Sequence, residues 1–321
     1  MFVVFDTNVY RTFVNGISGE DSLKNINALK QLEAKSDVKA LISSTVASEL
    51  ISHILDGDGF DSEGDCTKAL RTMYAHSGDA IQYGLVPTPE VQLARDLFKR
   101  EDSRGIETDK NIIAIAYQLY NSPTEAAINP YLLNIQSIIK HNKDVEDMMG
   151  QYLECLAEQW RKSEDTEASK AIQVKNAHSL AFIIGIAEKH GIQYPKSESY
   201  DNLKTVFESH IQIYQKQYPV PLQMIVDFCK KFSDPNFIPN KPERVNQIWD
   251  QRILHVAGQC INGEPIILVT DDKAMLEAAK NSVPTVSAAN STFQQIGLTP
   301  DAISNNVMRY LDYRAWLESK S

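Results

Sequence analysis

The amino-acid sequence predicts an α/β fold, in which a central parallel sheet is flanked by helices and carries a large, mostly helical insertion. Two short and wholly apolar runs, Phe2–Phe5 and Ile266–Val269, are typical of strands buried on both faces of a parallel sheet. Candidate strands and helices alternate near both ends of the chain, as they do in parallel sheets covered by helices. Between the ends, glycine is absent from residues 106–149 and 192–257.

The N-terminal segment is predicted to continue from its first strand through a helix, a second strand and a second helix. Apolar residues recur every three positions through Ser22–Lys35, which indicates an amphipathic helix. The apolar run Ala40–Ile42 is the second candidate strand. The hydroxyl residues at 43–45 can cap a helix that carries Val46 and Leu50 on one face.

The C-terminal segment repeats this alternation. We predict a helix over Val245–Cys260, the strand Ile266–Val269, and then a helix whose N-terminus Thr270 or Asp271 can cap. A further strand is predicted at 285–286. A last helix is predicted to start at Thr299-Pro300-Asp301, with proline in its first turn, and to lead into Ile303–Leu317.

The middle of the chain is predicted to be mostly helical, without the alternating strands of the two ends. Its long periodic runs, such as Thr108–Tyr120 and Asp144–Arg161, predict helices. Turn-rich segments at 56–65 and 233–242 bound it. We therefore predict a discontinuous core formed by residues 1–60 and 241–321, interrupted by a mostly helical insertion over residues 61–240.

Composition and charge exclude some classes of protein and leave others open. The chain has 321 residues, is 43% hydrophobic, and has no apolar run of the roughly 20 residues that span a bilayer. We therefore expect a cytoplasmic protein without a membrane partner. The net charge of −10 argues against a polyanionic partner. However, the two predicted core segments together carry 13 basic and 17 acidic side chains, so a bound divalent cation would leave them nearly neutral.

Several acidic residues lie where ligands of α/β sheets gather, at the carboxyl ends of strands. Asp6 follows the first apolar run directly, and Asp271 and Asp272 follow Ile266–Val269. Glu49 lies early in the helix after the second strand, and Asp250 lies in the helix before Ile266. Clustered carboxylates repel one another unless a cation neutralises them, and oxygen ligands suit Mg²⁺ or Mn²⁺. The sequence therefore predicts a divalent metal site.

Four segments that contain these acids resemble the motifs of the PIN-domain nucleases. They are Phe5-Asp6-Thr7-Asn8-Val9, Thr45-Val46-Ala47-Ser48-Glu49-Leu50, Trp249-Asp250-Gln251-Arg252-Ile253-Leu254 and Ile267-Leu268-Val269-Thr270-Asp271-Asp272-Lys273. The resemblance covers about 140 residues at the two ends. The second and third motifs lie much farther apart here than in compact members of that family.

The resemblance implies a PIN-like fold and a metal-dependent endoribonuclease that cuts single-stranded RNA. On this interpretation Asp6, Glu49, Asp250 and Asp272 are catalytic and bind Mg²⁺ or Mn²⁺, and Asp271 is a helix cap or an outer metal ligand. Thr7, Asn8 and Thr270 match family positions that orient ligands or a water. The expected products carry a 5′-phosphate and a 3′-hydroxyl.

The sequence leaves alternatives open. The same site could cut DNA or a structured nucleic acid, and the chain could be a non-catalytic RNA-binding or scaffolding module. Compact PIN nucleases are often toxins held by an antitoxin, so a toxin role, an antitoxin or other protein partner and a homo-oligomer stay open. Asp109 also opens an apolar helix, but no apolar strand ending in acids follows it at the right distance, which favours Asp250 for the third motif.

Overall fold

The computed structural model describes residues 1–56, 60–78, 85–196, 199–234, 241–284 and 303–320. They form an α/β fold in which helices accompany a mixed sheet of mostly parallel strands. The strands are β1 (Phe2–Phe5), β2 (Lys39–Ala40), β3 (Cys260–Ile261), β4 (Glu264–Thr270), β5 (Ile303–Ser304) and β6 (Val307–Arg309). Their order is β2-β1-β4-β6-β5, and β3 pairs with β4 outside this path.

The predicted parallel sheet is confirmed at its centre and corrected at two positions. Strand β1 pairs in parallel with both β2 and β4, and β4 pairs in parallel with β6. Strands β3 and β5 pair antiparallel with their neighbours β4 and β6. The sheet is therefore mixed, because two short hairpins extend it.

The register between β1 and β4 decides which side chains meet at the carboxyl edge of the sheet. Phe2 pairs with Ile266 and Phe5 pairs with Val269, and all four residues of β1 are buried. The backbone N–H of Asp6 donates to the carbonyl of Val269 (2.9 Å). Asp6 and Thr270 are consequently neighbours where both strands end.

Helices account for most of the remaining described residues. They are α1 (Thr7–Val14), α2 (Gly19–Lys35), α3 (Ser44–Ile51), α4 (Asp65–Ser77), α5 (Pro89–Phe98), α6 (Ser103–Asn121), α7 (Glu125–Ile128), α8 (Leu132–Lys162), α9 (Glu167–Lys189), α10 (Tyr200–Val206), α11 (Glu208–Gln217), α12 (Pro219–Phe232), α13 (Lys241–Ile253), α14 (Lys273–Asn281) and α15 (Tyr310–Ser319). None of the helices in these ranges is long and apolar enough to cross a membrane.

The N-terminal predictions hold with small shifts of boundary. Helix α2 begins at Gly19 rather than Ser22, because the Ser18 hydroxyl accepts a hydrogen bond from the N–H of Asp21 and caps the helix earlier. Ser43 caps α3 as predicted, by accepting from the N–H of Val46. Strand β2 pairs only at Lys39 and Ala40.

The helix predicted over Val245–Cys260 is wrong at its C-terminal end. Helix α13 stops at Ile253, a 3₁₀ turn covers Leu254–Gly258, and Cys260 belongs to β3. The reason is a two-residue turn between β3 and β4, formed by Asn262 (φ 52°) and Gly263 (φ 82°). Asparagine followed by glycine favours this left-handed conformation and so specifies a hairpin.

The helix predicted over Ile303–Leu317 is wrong at its N-terminal end for a similar reason. Strands β5 and β6 form a hairpin there, and α15 begins only at Tyr310. The connecting residues Asn305 and Asn306 have φ angles of 49° and 64°, which is the backbone that a two-residue hairpin turn requires. The strand predicted at 285–286 and the helix start predicted at 299–301 lie outside the described residues.

The largest hydrophobic cluster joins both ends of the chain to its middle. It contains β1 and β4 together with Leu70 of α4, Ile115 of α6 and Ile135 of α8. Helix α4 of the predicted insertion packs on β2, whereas α6 and α8 pack on α3 and reach the same cluster through it. Of two smaller clusters, the one around Tyr214 lies within the helical middle, and the one around Trp160 also includes Ile248 of α13. The division of the chain into a core and an insertion stays a prediction.

Candidate metal centre

Asp6 occupies the centre of the carboxyl edge of the sheet. Its side chain is only 1% exposed and accepts a hydrogen bond from the hydroxyl of Thr270 (2.8 Å). Burial raises the pKa of Asp6 to about 6, because a buried carboxylate loses its hydration. The Thr270 hydroxyl and the backbone N–H groups of Thr7 and Asn8 partly oppose this rise, and the charge of Asp272 adds to it.

Glu49 lies beside Asp6 on α3. The hydroxyl of Thr7, the first residue of α1, donates to its carboxylate (2.5 Å). Burial raises the pKa of Glu49 to about 8, and the negative charge of Asp6 contributes further. Thr7 and Thr270, for which supporting roles are predicted, each donate a hydroxyl hydrogen bond to one predicted ligand. The Asn8 side chain is exposed, and only its backbone N–H acts on Asp6.

Asp250 joins this group from α13. It is 8% exposed, and burial raises its pKa to about 9, with further contributions from the charges of Asp6, Asp272 and Glu49. Because the charges of these three carboxylates raise the pKa of Asp250, Asp250 lies within electrostatic range of all three. The structure thus brings together the four acids that the sequence analysis selected.

Asp272 completes the group and also caps α14. Its carboxylate accepts from the N–H of Met275 (2.9 Å), and its own N–H donates to the Thr270 hydroxyl (3.0 Å). The prediction that Thr270 or Asp271 caps this helix is therefore wrong. The reason is that the Thr270 hydroxyl is committed to Asp6 and to the N–H of Asp272, so the helix starts one residue after Asp272.

Asp271 is not part of the group. Its side chain is exposed, and its charge acts on Arg309 and Tyr310 on the neighbouring strand and helix. Consecutive residues after a strand point in different directions, so only one of the two adjacent acids can face Asp6.

Asp109 is buried but has different neighbours. Burial raises its pKa to about 7, and the nearby acids that act on it are Glu90 and Asp102. The competitor for the third motif therefore lies apart from Asp6, whereas Asp250 lies with it.

The helical middle contributes residues that the sequence analysis missed. On α8, the Asn142 amide donates to the backbone carbonyl of Ser48 (3.0 Å) and also bonds its hydroxyl, which holds α8 against α3. One turn further along, Glu146 accepts a hydrogen bond from the Trp249 indole (2.9 Å), and its charge raises the pKa of Glu49. The spacing of four residues places Asn142 and Glu146 on one face of α8. Nothing in the sequence pattern, however, assigns that face to α3.

An open cleft of about 560 Å³ adjoins the carboxylates on the Glu49 side. Its walls come from α1, α3, the start of α4 and α13. Side chains that can donate or accept hydrogen bonds line it, including Arg11, His53 and Asn246.

The electrostatics of the four acids are unbalanced. Within the described ranges, no Lys, Arg or His side chain forms an ion pair with Asp6, Glu49, Asp250 or Asp272. Across the same ranges, no three His, Cys, Asp or Glu side chains are spaced as ligands of one ion. The charges of these carboxylates act on one another, although the side chains are not placed as ligands of one ion. The donor set contains only oxygen, which fits Mg²⁺ or Mn²⁺.

Comparisons of the chain with protein-family models, with curated proteins and with solved structures found no match.

Proposed function

We propose that this chain is a metal-dependent endoribonuclease with a PIN-like fold, and that it hydrolyses phosphodiester bonds of single-stranded RNA. The observation that carries the proposal is the convergence of Asp6, Glu49, Asp250 and Asp272 from four separate segments on one sheet edge. Three of them have a raised pKa, and none forms an ion pair with a cationic side chain among the described residues. Such a group is costly for the fold unless a cation binds to it.

The four carboxylates would hold Mg²⁺ or Mn²⁺. When bound, the ion would lower the pKa of a water and stabilise the charge that develops on the leaving oxygen. The chain supplies the orientation: Thr270 holds Asp6, and Thr7 holds Glu49. Asp272 has one carboxylate oxygen bonded to the N–H of Met275, which leaves the other free for the site.

Cleavage of a labelled single-stranded RNA in Mn²⁺ and in EDTA tests the proposal. We expect cleavage only with Mn²⁺, with products that carry 5′-phosphate and 3′-hydroxyl ends. Asp6→Asn and Asp250→Asn should be folded and inactive, because each removes a charge that the cation needs.

Asp109→Asn is the matched control. Asp109 is buried, like Asp6 and Asp250, and has a raised pKa, yet it lies outside their group. This variant should therefore retain cleavage. Inactivity of Asp109→Asn together with activity of Asp250→Asn would overturn the assignment of the third ligand.

Two further outcomes distinguish the alternatives. Faster cleavage of single-stranded DNA of the same sequence would replace the RNA assignment by a DNA nuclease. Mn²⁺-independent RNA binding without any cleavage would favour a non-catalytic module and would contradict the proposed enzyme.

A further inference from the structure

The cleft beside Glu49 carries a second set of polar side chains, each one helical turn away from a proposed metal ligand or its support. Arg11 follows Thr7 by four residues on α1, and His53 follows Glu49 by four residues just beyond α3. Asn246 precedes Asp250 by four residues on α13. All three line the same cleft of about 560 Å³. Residues four apart lie on one face of a helix, so the elements that present the carboxylates also present these groups.

Arg11 is the cation of this set. Its side chain is exposed, and it forms no ion pair within the described part of the chain. It lies close enough to Glu49 for its charge to oppose the rise of that pKa. Yet the Glu49 carboxylate bonds the Thr7 hydroxyl instead of the guanidinium. The guanidinium therefore keeps its donors available at the border of the carboxylate group.

Three acids besides Glu49 line the cleft, and two of them have side-chain partners. Asp56 bonds the His53 ring (2.8 Å), and Asp65 forms an ion pair with Lys68 (3.2 Å). Both pairs leave Arg11 without competition from these carboxylates. An anion that enters the cleft would be attracted by Arg11 and repelled by the acids on the other walls. It would therefore bind next to Arg11.

We propose that this cleft binds the nucleotide adjacent to the bond that is cut, and that the Arg11 guanidinium holds the phosphate of that nucleotide. A guanidinium binds phosphate through two parallel hydrogen bonds, a geometry that a lysine cannot reproduce. The exposed amide of Asn246 and the ring of His53 offer hydrogen bonds to a base that is not stacked in a duplex. This inference rests on the proposed function, because it assigns a substrate subsite next to the same carboxylates.

Binding without cleavage separates the two proposals. The affinity of a fluorescent single-stranded RNA would be measured by anisotropy on full-length Asp250→Asn, alone and combined with Arg11→Ala, Arg11→Lys or Arg161→Ala. Arg161 is an exposed arginine in the last turn of α8 and serves as the matched control.

We expect Arg11→Ala to weaken binding about tenfold, because one charge-assisted phosphate contact is lost. The slope of log K against log salt should fall by about 0.7, which is the contribution of one phosphate contact on a single strand. Arg11→Lys should keep the salt slope and lose part of the affinity. Arg161→Ala should change neither.

Equal binding by the Arg11→Ala and Arg161→Ala forms, or no RNA binding by Asp250→Asn, would overturn this inference. The first of these results would leave the proposed nuclease intact if the wild-type chain cleaves RNA. Conversely, a chain that never cleaves RNA but binds it through Arg11 would contradict the nuclease, and with it the placement of Arg11 beside a bond that is cut.

Discussion

The hydroxyl of Thr270 donates a hydrogen bond of 2.8 Å to the carboxylate of Asp6, across a separation of 264 residues. The same oxygen accepts a hydrogen bond from the N–H of Asp272 (3.0 Å). One threonine on β4 thereby links two acids of the candidate metal centre. The contact exists because β1 and β4 are adjacent and end at the same level.

Thr270→Val should weaken this link. The substitution keeps the shape of the side chain and removes the hydroxyl, which leaves a buried carboxylate oxygen of Asp6 without its donor. We expect a loss of about 1–3 kcal/mol in the free energy of unfolding, measured with urea.

The pKa of Asp6 should also rise in Thr270→Val, because the hydrogen bond from Thr270 lowers it. We expect Mn²⁺ to raise the melting temperature of the wild type, because it binds the folded state only, and this increase should be smaller in Thr270→Val. Thr108→Val is the control, since the exposed Thr108 hydroxyl bonds only a carbonyl of its own helix. Equal stability losses in the two variants would contradict the prediction.

The metal-free chain should lose stability as the pH rises. The folded-state pKa values of Asp6, Glu49 and Asp250 are about 6, 8 and 9, above the ordinary values of 3.8, 4.5 and 3.8. Below about pH 3 these carboxyl groups are protonated in both states. As the pH rises further, the unfolded state releases its protons first, so the folded state is progressively disfavoured up to about pH 9.

Unfolding in EDTA between pH 5 and pH 9 measures this loss. Asp250→Asn has no ionisable group at this position. The pH dependence of its free energy of unfolding should therefore be smaller by up to about 1.4 kcal/mol per pH unit. Asp165→Asn, at an exposed position, should leave the dependence unchanged. Mn²⁺ should oppose the loss above neutral pH, because it binds the ionised acids. A pH profile of Asp250→Asn identical to that of the wild type would show that Asp250 does not ionise as proposed.

Glu90→Gln should destabilise the fold through Arg252. The two guanidinium Nη atoms of Arg252 bond the two carboxylate oxygens of Glu90, and Arg252 is 7% exposed. Burial alone would raise the pKa of Glu90, but the Arg252 charge outweighs it and holds the pKa at about 2. Loss of the carboxylate leaves a buried guanidinium without a negatively charged partner, which costs about 3–5 kcal/mol.

Urea unfolding of Glu90→Gln and Glu158→Gln provides the test. Glu158 pairs with Lys162 on the exposed surface of α8, so its substitution should leave stability close to that of the wild type. Because Arg252 lies on the helix that carries Asp250, Glu90→Gln should also reduce the stabilisation by Mn²⁺. Wild-type stability of Glu90→Gln would mean that the pair contributes little to the position of α13.

Two glycine-to-alanine substitutions should change stability in opposite directions. A Cβ at Gly258 would meet the backbone carbonyl of Gln217 and would come within 2.6 Å of the Tyr218 ring. We expect a loss of at least about 1–3 kcal/mol, because neither group can move freely in the core. A Cβ at Gly185, inside α9, meets nothing within 4 Å. Gly185→Ala should therefore gain about 0.5–1 kcal/mol through its higher helix propensity. Urea unfolding measures both, and equal effects would contradict the packing argument.

The sequence by itself determined the features that depend on local pattern. The apolar runs at Phe2–Phe5 and 266–269 predicted strands that are buried on both faces, as the structure shows. Because the acids follow these runs directly, the sequence also predicted that they lie at a sheet edge. The Ser43 cap of α3 followed from hydroxyl residues just before an apolar periodic run. The residues of the Asn262-Gly263 and Asn305-Asn306 turns also favour hairpins, but the apolar periodicity around them led to the prediction of helices.

Only the tertiary structure decided which of the candidate acids meet. Asp250 and Asp109 have similar sequence contexts, and Asp271 and Asp272 are adjacent, yet in each pair one residue joins Asp6 and the other does not. The contact of α8 with α3 through Asn142 likewise spans 94 residues. Such contacts arise from the simultaneous packing of many apolar surfaces, whose free energy depends on the whole core and not on any short segment.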